Sequence, residues 1–81
     1  MAHVTLIGNL RQFTGGVTEL EVDAPNVRQL FARLAERFPD LGAHLQQGLA
    51  VAIDGQIYQD ALLEPIPPGS EVHILPQIAG G

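Results

Sequence analysis

The residues whose types and spacing point to chemistry stand together as Gln77-Ile78-Ala79-Gly80-Gly81. They follow Ser70-Glu71-Val72-His73-Ile74-Leu75-Pro76, which reads as a strand closed by a proline. Proline donates nothing to a sheet ladder and restrains the residue before it to extended geometry, so pairing is expected to stop near Pro76. Beyond it come small or uncharged residues and two glycines, a thin and flexible end whose reactive handle is the Gly81 carboxylate. Five extended residues reach about 17 Å from the body, deep enough to enter another protein's active site. The chemistry this arrangement suits is activation of the terminal carboxyl inside a partner. A frayed end is the plain alternative, so the chain that carries the tail has to decide.

One domain is expected from 81 residues, with about 60 % of the unfolded surface buried on folding. The large aromatics are Phe13, Phe31, Phe38 and Tyr58, so the core must be mostly aliphatic. There is no cysteine, which excludes a disulfide framework, a thiol nucleophile and a thiolate metal site. Met1-Ala2-His3 does not read as a secretory leader, and no run approaches the ~20 apolar residues of a membrane span. A cytoplasmic location fits these features.

The net charge is −5, and the cations are Arg11, Arg28, Arg33 and Arg37. Nucleic-acid binding is not expected, because a phosphate backbone demands a basic footprint. An acidic surface instead steers a small protein toward basic partners. The sequence contains no lysine, so an activated carboxyl would meet no lysine amine on its own body.

The elements that must hold the tail follow from the periodicity. Val4-Thr5-Leu6-Ile7 reads as a first strand, with Val4 and Leu6 on one face and Thr5 and Ile7 on the other. Gly8 to Thr14 reads as a connector ahead of Gly15-Gly16, and Val17 to Val22 as a second strand completing a hairpin. Asn26 is expected to cap a helix carrying Val27, Leu30, Phe31, Leu34, Ala35 and Phe38, with Gln29 bonding back. Pro39 ends that helix. Residues 40–48 read as a loop, with at most a turn around Ala43-His44-Leu45. Leu49 to Ile53 is apolar enough for a strand buried on both faces, Asp54-Gly55 marks a turn, and Gln56-Ile57-Tyr58 returns as a partner strand. Asp60 is placed as the cap of a turn over Ala61-Leu62-Leu63. Pro65, Pro67, Pro68 and Gly69 make a stiff connection into the last strand.

The expected fold is therefore α+β, a mixed sheet of four to five strands with one main helix across one face. That is the β-grasp, or ubiquitin-like, arrangement. Residues 1–76 form the domain and 77–81 its flexible Gly-Gly tail. Leu30, Phe31, Leu34 and Phe38 are expected to pack on Val4, Leu6, Leu20, Val22, Val51, Ile53, Val72 and Ile74. In such a sheet the first and last strands are adjacent, and alternation puts Thr5, Ile7, His73 and Leu75 on the uncovered face. Ala50 and Ala52 join them. Ile7, Leu75, His73, Ala50 and Ala52 are accordingly expected to form a docking patch beside the root of the tail, unless the Gly8 to Phe13 connector or a second copy covers it.

With these elements in place, the chain resembles the MoaD/ThiS family of ubiquitin-like sulfur carriers over essentially its whole length. The resemblance rests on Leu10-Arg11 with Thr14-Gly15, on Gly69-Ser70-Glu71-Val72, and above all on Leu75-Pro76-Gln77-Ile78-Ala79-Gly80-Gly81. Length and the long first connector bring it nearer to the molybdopterin-synthase small subunit and the cysteine-forming carriers than to the shorter thiazole carrier. Two phenylalanines are common in the family where Ile74 and Leu75 stand here, and a second proline where Gln77 stands. These departures bear on the pathway rather than on the family.

The resemblance implies that Gly81 is adenylated by a ubiquitin-activating-type enzyme using ATP and magnesium, and that sulfur then replaces AMP to leave a thiocarboxylate. Gln77, Ile78, Ala79 and Gly80 would thread into that partner. A sulfur donor and a sulfur-accepting synthase complete the implied partners, with molybdenum cofactor, cysteine or thiamine-thiazole synthesis as destinations. The chain itself shows no phosphate-binding glycine-rich loop and no nucleophile–base pair, so it is expected to bind no cofactor and to act without catalysis of its own. His3, His44 and His73 are scattered and read as surface histidines rather than metal ligands. Asp54, Asp60 and Glu64 hint at a carboxylate pair, although turn chemistry accounts for Asp54 before Gly55. Two other classes stay open: a protein modifier joined to target lysines through Gly81, and an interaction domain whose terminus is inert.

Overall fold

The computed structural model describes residues 1–45, 49–59 and 62–76. These form a five-stranded mixed sheet in the order β2-β1-β5-β3-β4, with helices against one face. The strands are β1 (Ala2–Leu6), β2 (Glu19–Val22), β3 (Leu49–Ile53), β4 (Gln56–Gln59) and β5 (Glu71–Pro76); the helices are α1 (Val27–Arg37) and α2 (Pro39–Leu45). β1 runs parallel to β5, and β2, β3 and β4 pair antiparallel to their neighbours. This is the α+β, β-grasp fold that the order of elements implied.

Alternation sets the strands. In β1, Ala2, Val4 and Leu6 are buried, while His3 and Thr5 face the other way and are half-buried. Asp54 and Gly55 both take positive φ, 49° and 91°, the geometry of a two-residue hairpin turn between β3 and β4. The Asp54 carboxylate accepts a hydrogen bond from the Glu71 amide at 2.9 Å, and its own amide donates to the Glu71 carbonyl at 2.9 Å. Its role is the turn and its anchorage to β5. Glu64 lies in the segment that meets α1, and Asp60 falls outside the described residues.

The Asn26 side chain caps α1 by accepting from the Gln29 amide at 2.8 Å. The remaining first-turn donors are met by chain rather than by the expected return bond from Gln29. Val27 donates to the Glu64 carbonyl and Arg28 to that of Leu62, beside an antiparallel bridge of Asn26 with Pro65. The proline-rich connection thus closes the start of the helix.

Val27, Leu30 and Leu34 form the buried stripe of α1. They pack with Val4, Leu6, Val22, Val51, Ile53, Val72 and Ile74, as the sequence implied, and with Leu10, Leu41, Leu45 and Ile66, which it did not. Phe31 and Phe38 are only partly buried, because they sit on the flank of the stripe rather than its centre. Leu20 is partly buried for a different reason: β2 is an edge strand with one neighbour.

Two connectors are more ordered than expected. Of residues 40–48, read as loop, those to Leu45 belong to α2. Pro39 occupies its first position, where no amide is needed, and Leu41 and Leu45 turn inward four residues apart. Gly42 is what lets this helix approach: a Cβ there would lie 2.7 Å from the Ala35 Cβ of α1. Gly8–Phe13 forms a 3-10 helix that buries Leu10. Behind it the Thr14 hydroxyl, buried, lies 2.7 Å from the Val17 carbonyl and 3.1 Å from that of Arg11. Thr14 therefore locks the turn before β2. Ser70 does the same before β5, its hydroxyl donating to the Pro67 carbonyl at 2.6 Å.

Candidate functional site

The sheet face opposite the helices is built in rows by strand register. One row runs Glu21, His3, Glu71; the next runs Glu19, Thr5, His73, Ala52, Ile57. A third contains Leu75, Ala50 and Gln59. Ile7 joins that row, because its amide donates to the Ile74 carbonyl at 2.9 Å and so continues the β1–β5 pairing past Leu6.

Of the residues placed in the docking patch, Ile7, His73, Leu75 and Ala52 are half-buried and share this face. Ala50 shares it too but is only 1 % exposed, flanked by Leu75 on β5 and Gln59 on β4. Ala50 therefore offers no free surface for docking, and that expectation is corrected. Ile57, which the sequence reading left out, also lies on this face. It is 62 % exposed and lies opposite Ala52. The two-residue turn at Asp54-Gly55 sets that register, so Ile57 was open to discovery from the turn alone.

The connector does not cover this face. Leu10 is part of the core, and the Phe13 ring lies 4.1 Å, centroid to centroid, from His44 of α2. Both place the 3-10 helix on the helical side.

The cations gather on the helical side. The uncovered face carries Glu19, Glu21 and Glu71, all exposed, along its β2–β1–β5 side. Arg28, Arg33 and Arg37 belong to α1 and Arg11 to the 3-10 helix. The apolar patch of Ile7, Leu75, Ala52 and Ile57 is thus bordered by carboxylates on one side. His3 lies among them, 3.0 Å from Glu19 and 2.9 Å from Glu71. Among the described residues no group of three or more histidine, aspartate or glutamate side chains is arranged to hold a metal ion.

β5 is the middle strand of the sheet and ends at Pro76, opposite Leu49. Gln77, Ile78, Ala79, Gly80 and Gly81 follow directly and lie outside the described residues. The sequence positions expected to thread and to react are therefore attached to the strand that carries Leu75 and His73. No helix among the described residues is long and apolar enough to cross a membrane.

Solved structures share this fold. A chain of the Amycolatopsis orientalis BexX/CysO complex matches with a TM-score of 0.79 and 22 % identity, covering 100 % of both chains. CysO from Mycobacterium tuberculosis matches at 0.82 and 17 %, covering 96 % of this chain and 100 % of the other. A chain from the complex of subunits 1 and 2 of the Helicobacter pylori molybdopterin-converting factor matches at 0.71 and 24 %, covering 99 % and 97 %. No curated protein sequence matches the chain significantly. The model of the ThiS family matches residues 4–81, from the first buried valine of β1 through the two glycines. With that match running through every element of the fold, the chain belongs to the ThiS family of ubiquitin-like sulfur carriers.

Proposed function

We propose that this protein carries sulfur on the carboxyl group of Gly81 and hands it to a biosynthetic partner. A carboxylate is a poor electrophile and must be activated. In the proposed cycle its oxygen takes AMP from ATP within an adenylating enzyme, releasing pyrophosphate. Hydrosulfide released by a sulfur donor then attacks the acyl carbon, AMP leaves, and loss of the proton leaves a thiocarboxylate. ATP and magnesium belong to the activating partner. This chain supplies the terminus and the surface that presents it, and it acts as a non-catalytic subunit beside enzymes.

The observation that carries the reading is the family match through Gly81, on a tail rooted in the central strand. Glycine at 80 and 81 removes side chains from the path, so the backbone can lie close to catalytic groups in a narrow channel. Gln77, Ile78 and Ala79 give that path its length. Ile7, Leu75, Ala52 and Ile57, with His73, form the apolar docking face, and the glutamates beside it favour a partner with a basic rim.

For the acceptor we favour a molybdopterin-synthase-type partner; the length of the chain and its long first connector set this reading and cysteine formation together apart from the shorter thiazole carrier. Cysteine formation is the second reading. It is favoured by the higher TM-score of the CysO structure, 0.82 against 0.71 for the molybdopterin-converting chain. The thiocarboxylated protein mixed with each acceptor synthase decides between them: sulfur loss to one and not the other assigns the pathway. Covalent high-mass adducts in cell extract, abolished by deleting Gly81, would favour a protein modifier instead.

A further inference from the structure

On the uncovered face, the carboxylate side holds a cluster that the docking patch does not use. His3 stands in β1 between the two strands that flank it. Its Nε2 lies 3.0 Å from Glu19 Oε1 on β2, and its Nδ1 lies 2.9 Å from Glu71 Oε2 on β5. An ionised carboxylate accepts hydrogen bonds and donates none. A neutral imidazole carries one N–H, and the imidazolium carries two. A ring with a carboxylate oxygen at each nitrogen is therefore arranged for the charged form. We propose that His3 is a proton-operated clamp that ties β2 to β5 across β1 and releases one of its two ties on deprotonation.

The surroundings act in the same direction. Glu19 and Glu21 face His3 from β2 and Glu71 from β5; His73, next on that face of β5, is paired with Thr5. The arginines lie on α1 and the 3-10 helix. Asp54, from the β3–β4 turn, grips the Glu71 backbone and so fixes the strand from which that carboxylate projects. The hydrogen bond to Glu71, foremost, holds His3 above the ordinary histidine value of 6.5; desolvation opposes it, and the charges of Glu71, Glu19 and Glu21 add to it.

A group whose folded value is raised stabilises the fold fully below its unfolded value, and that contribution is lost as pH rises through the folded value. The clamp therefore works at pH below 6.5 and fades above it. Its carboxylates are solvent-exposed and His3 only half-buried, so it trims stability rather than deciding it. The inference is independent of the sulfur-carrier reading.

The test follows the His3 ring by NMR across pH in the wild type, Glu19→Gln, Glu71→Gln and the double variant, with the urea-unfolded chain as reference. The wild-type midpoint is expected above that of the unfolded chain. Each single variant should lower it, Glu71→Gln more, and the double variant should bring it near the reference. A wild-type midpoint equal to the reference, or one that neither single variant moves, overturns the proposal. Urea unfolding of the wild type against His3→Gln gives a second readout. The wild-type advantage should be larger well below pH 6.5 than well above it, and an equal advantage at both overturns the clamp.

Discussion

The Ile7 amide donates to the Ile74 carbonyl at 2.9 Å, which carries the parallel pairing of β1 and β5 one residue beyond β1 itself. That bond holds Ile7 beside Leu75 at the end of the sheet from which the tail departs. Ala52 on β3 and Ile57 on β4 lie on the same face in the adjacent row, paired with each other. A partner that draws the tail into its active site would meet these side chains next.

Leu75→Glu and Ile57→Glu are each expected to weaken binding to the adenylating partner at least about tenfold, roughly 1.4 kcal/mol, by burying an unpaired charge. Ile57 is the cleaner probe, since it is exposed on an edge strand and its replacement should leave the unfolding midpoint unchanged. Calorimetric titration against the partner gives the affinities. Wild-type affinity in both variants would move the interface to another face.

The core supplies a graded expectation. Leu34 is fully buried in the centre of the α1 stripe, and Leu34→Ala should cost about 2–5 kcal/mol. Phe31→Ala should fall below the usual range of about 3–5 kcal/mol for a fully buried phenylalanine, because the ring is only partly buried. Urea unfolding of the two variants ranks them. A Phe31→Ala cost equal to that of Leu34→Ala would mean that the ring is held as firmly as the leucine.

Gly42 makes a sharper point about α2. The Cβ introduced by Gly42→Ala would lie 2.7 Å from Ala35 Cβ, so one of the two helices must shift. The expected cost is about 1–3 kcal/mol, although alanine is the better helix former. Pairing it with Ala35→Gly should recover part of the loss. Gly42→Ala as stable as the wild type would show that α2 packs loosely.

Much of this fold was legible because its signals are local. Alternation in Val4 to Ile7, the stripe of α1 and the Asp54-Gly55 turn each depend on neighbours a few residues apart. α2 was missed because Pro39 reads as a helix stop and the stretch after it as loop. Pro39 instead begins the helix, and Gly42 gives way to Ala35, which only packing reveals. Ile66 lies between prolines and read as connector, yet it is buried beneath the segment that closes α1. The make-up of the uncovered sheet face was legible by alternation, except for the burial of Ala50 and the presence of Ile57, which depend on pairing with neighbouring strands. The tie from His3 to Glu19 and Glu71 joins residues far apart in the chain, and no spacing rule announces it.

Intact-mass measurement after incubation with a cognate adenylating enzyme, ATP, magnesium and a sulfur donor tests the central claim most directly. The wild type is expected to gain the difference between one sulfur and one oxygen atom. A variant lacking Gly81 should gain nothing while unfolding at the same denaturant concentration. An unchanged wild-type mass, under conditions that convert another carrier with its own enzyme, would contradict the assignment of Gly81 as the sulfur-bearing residue.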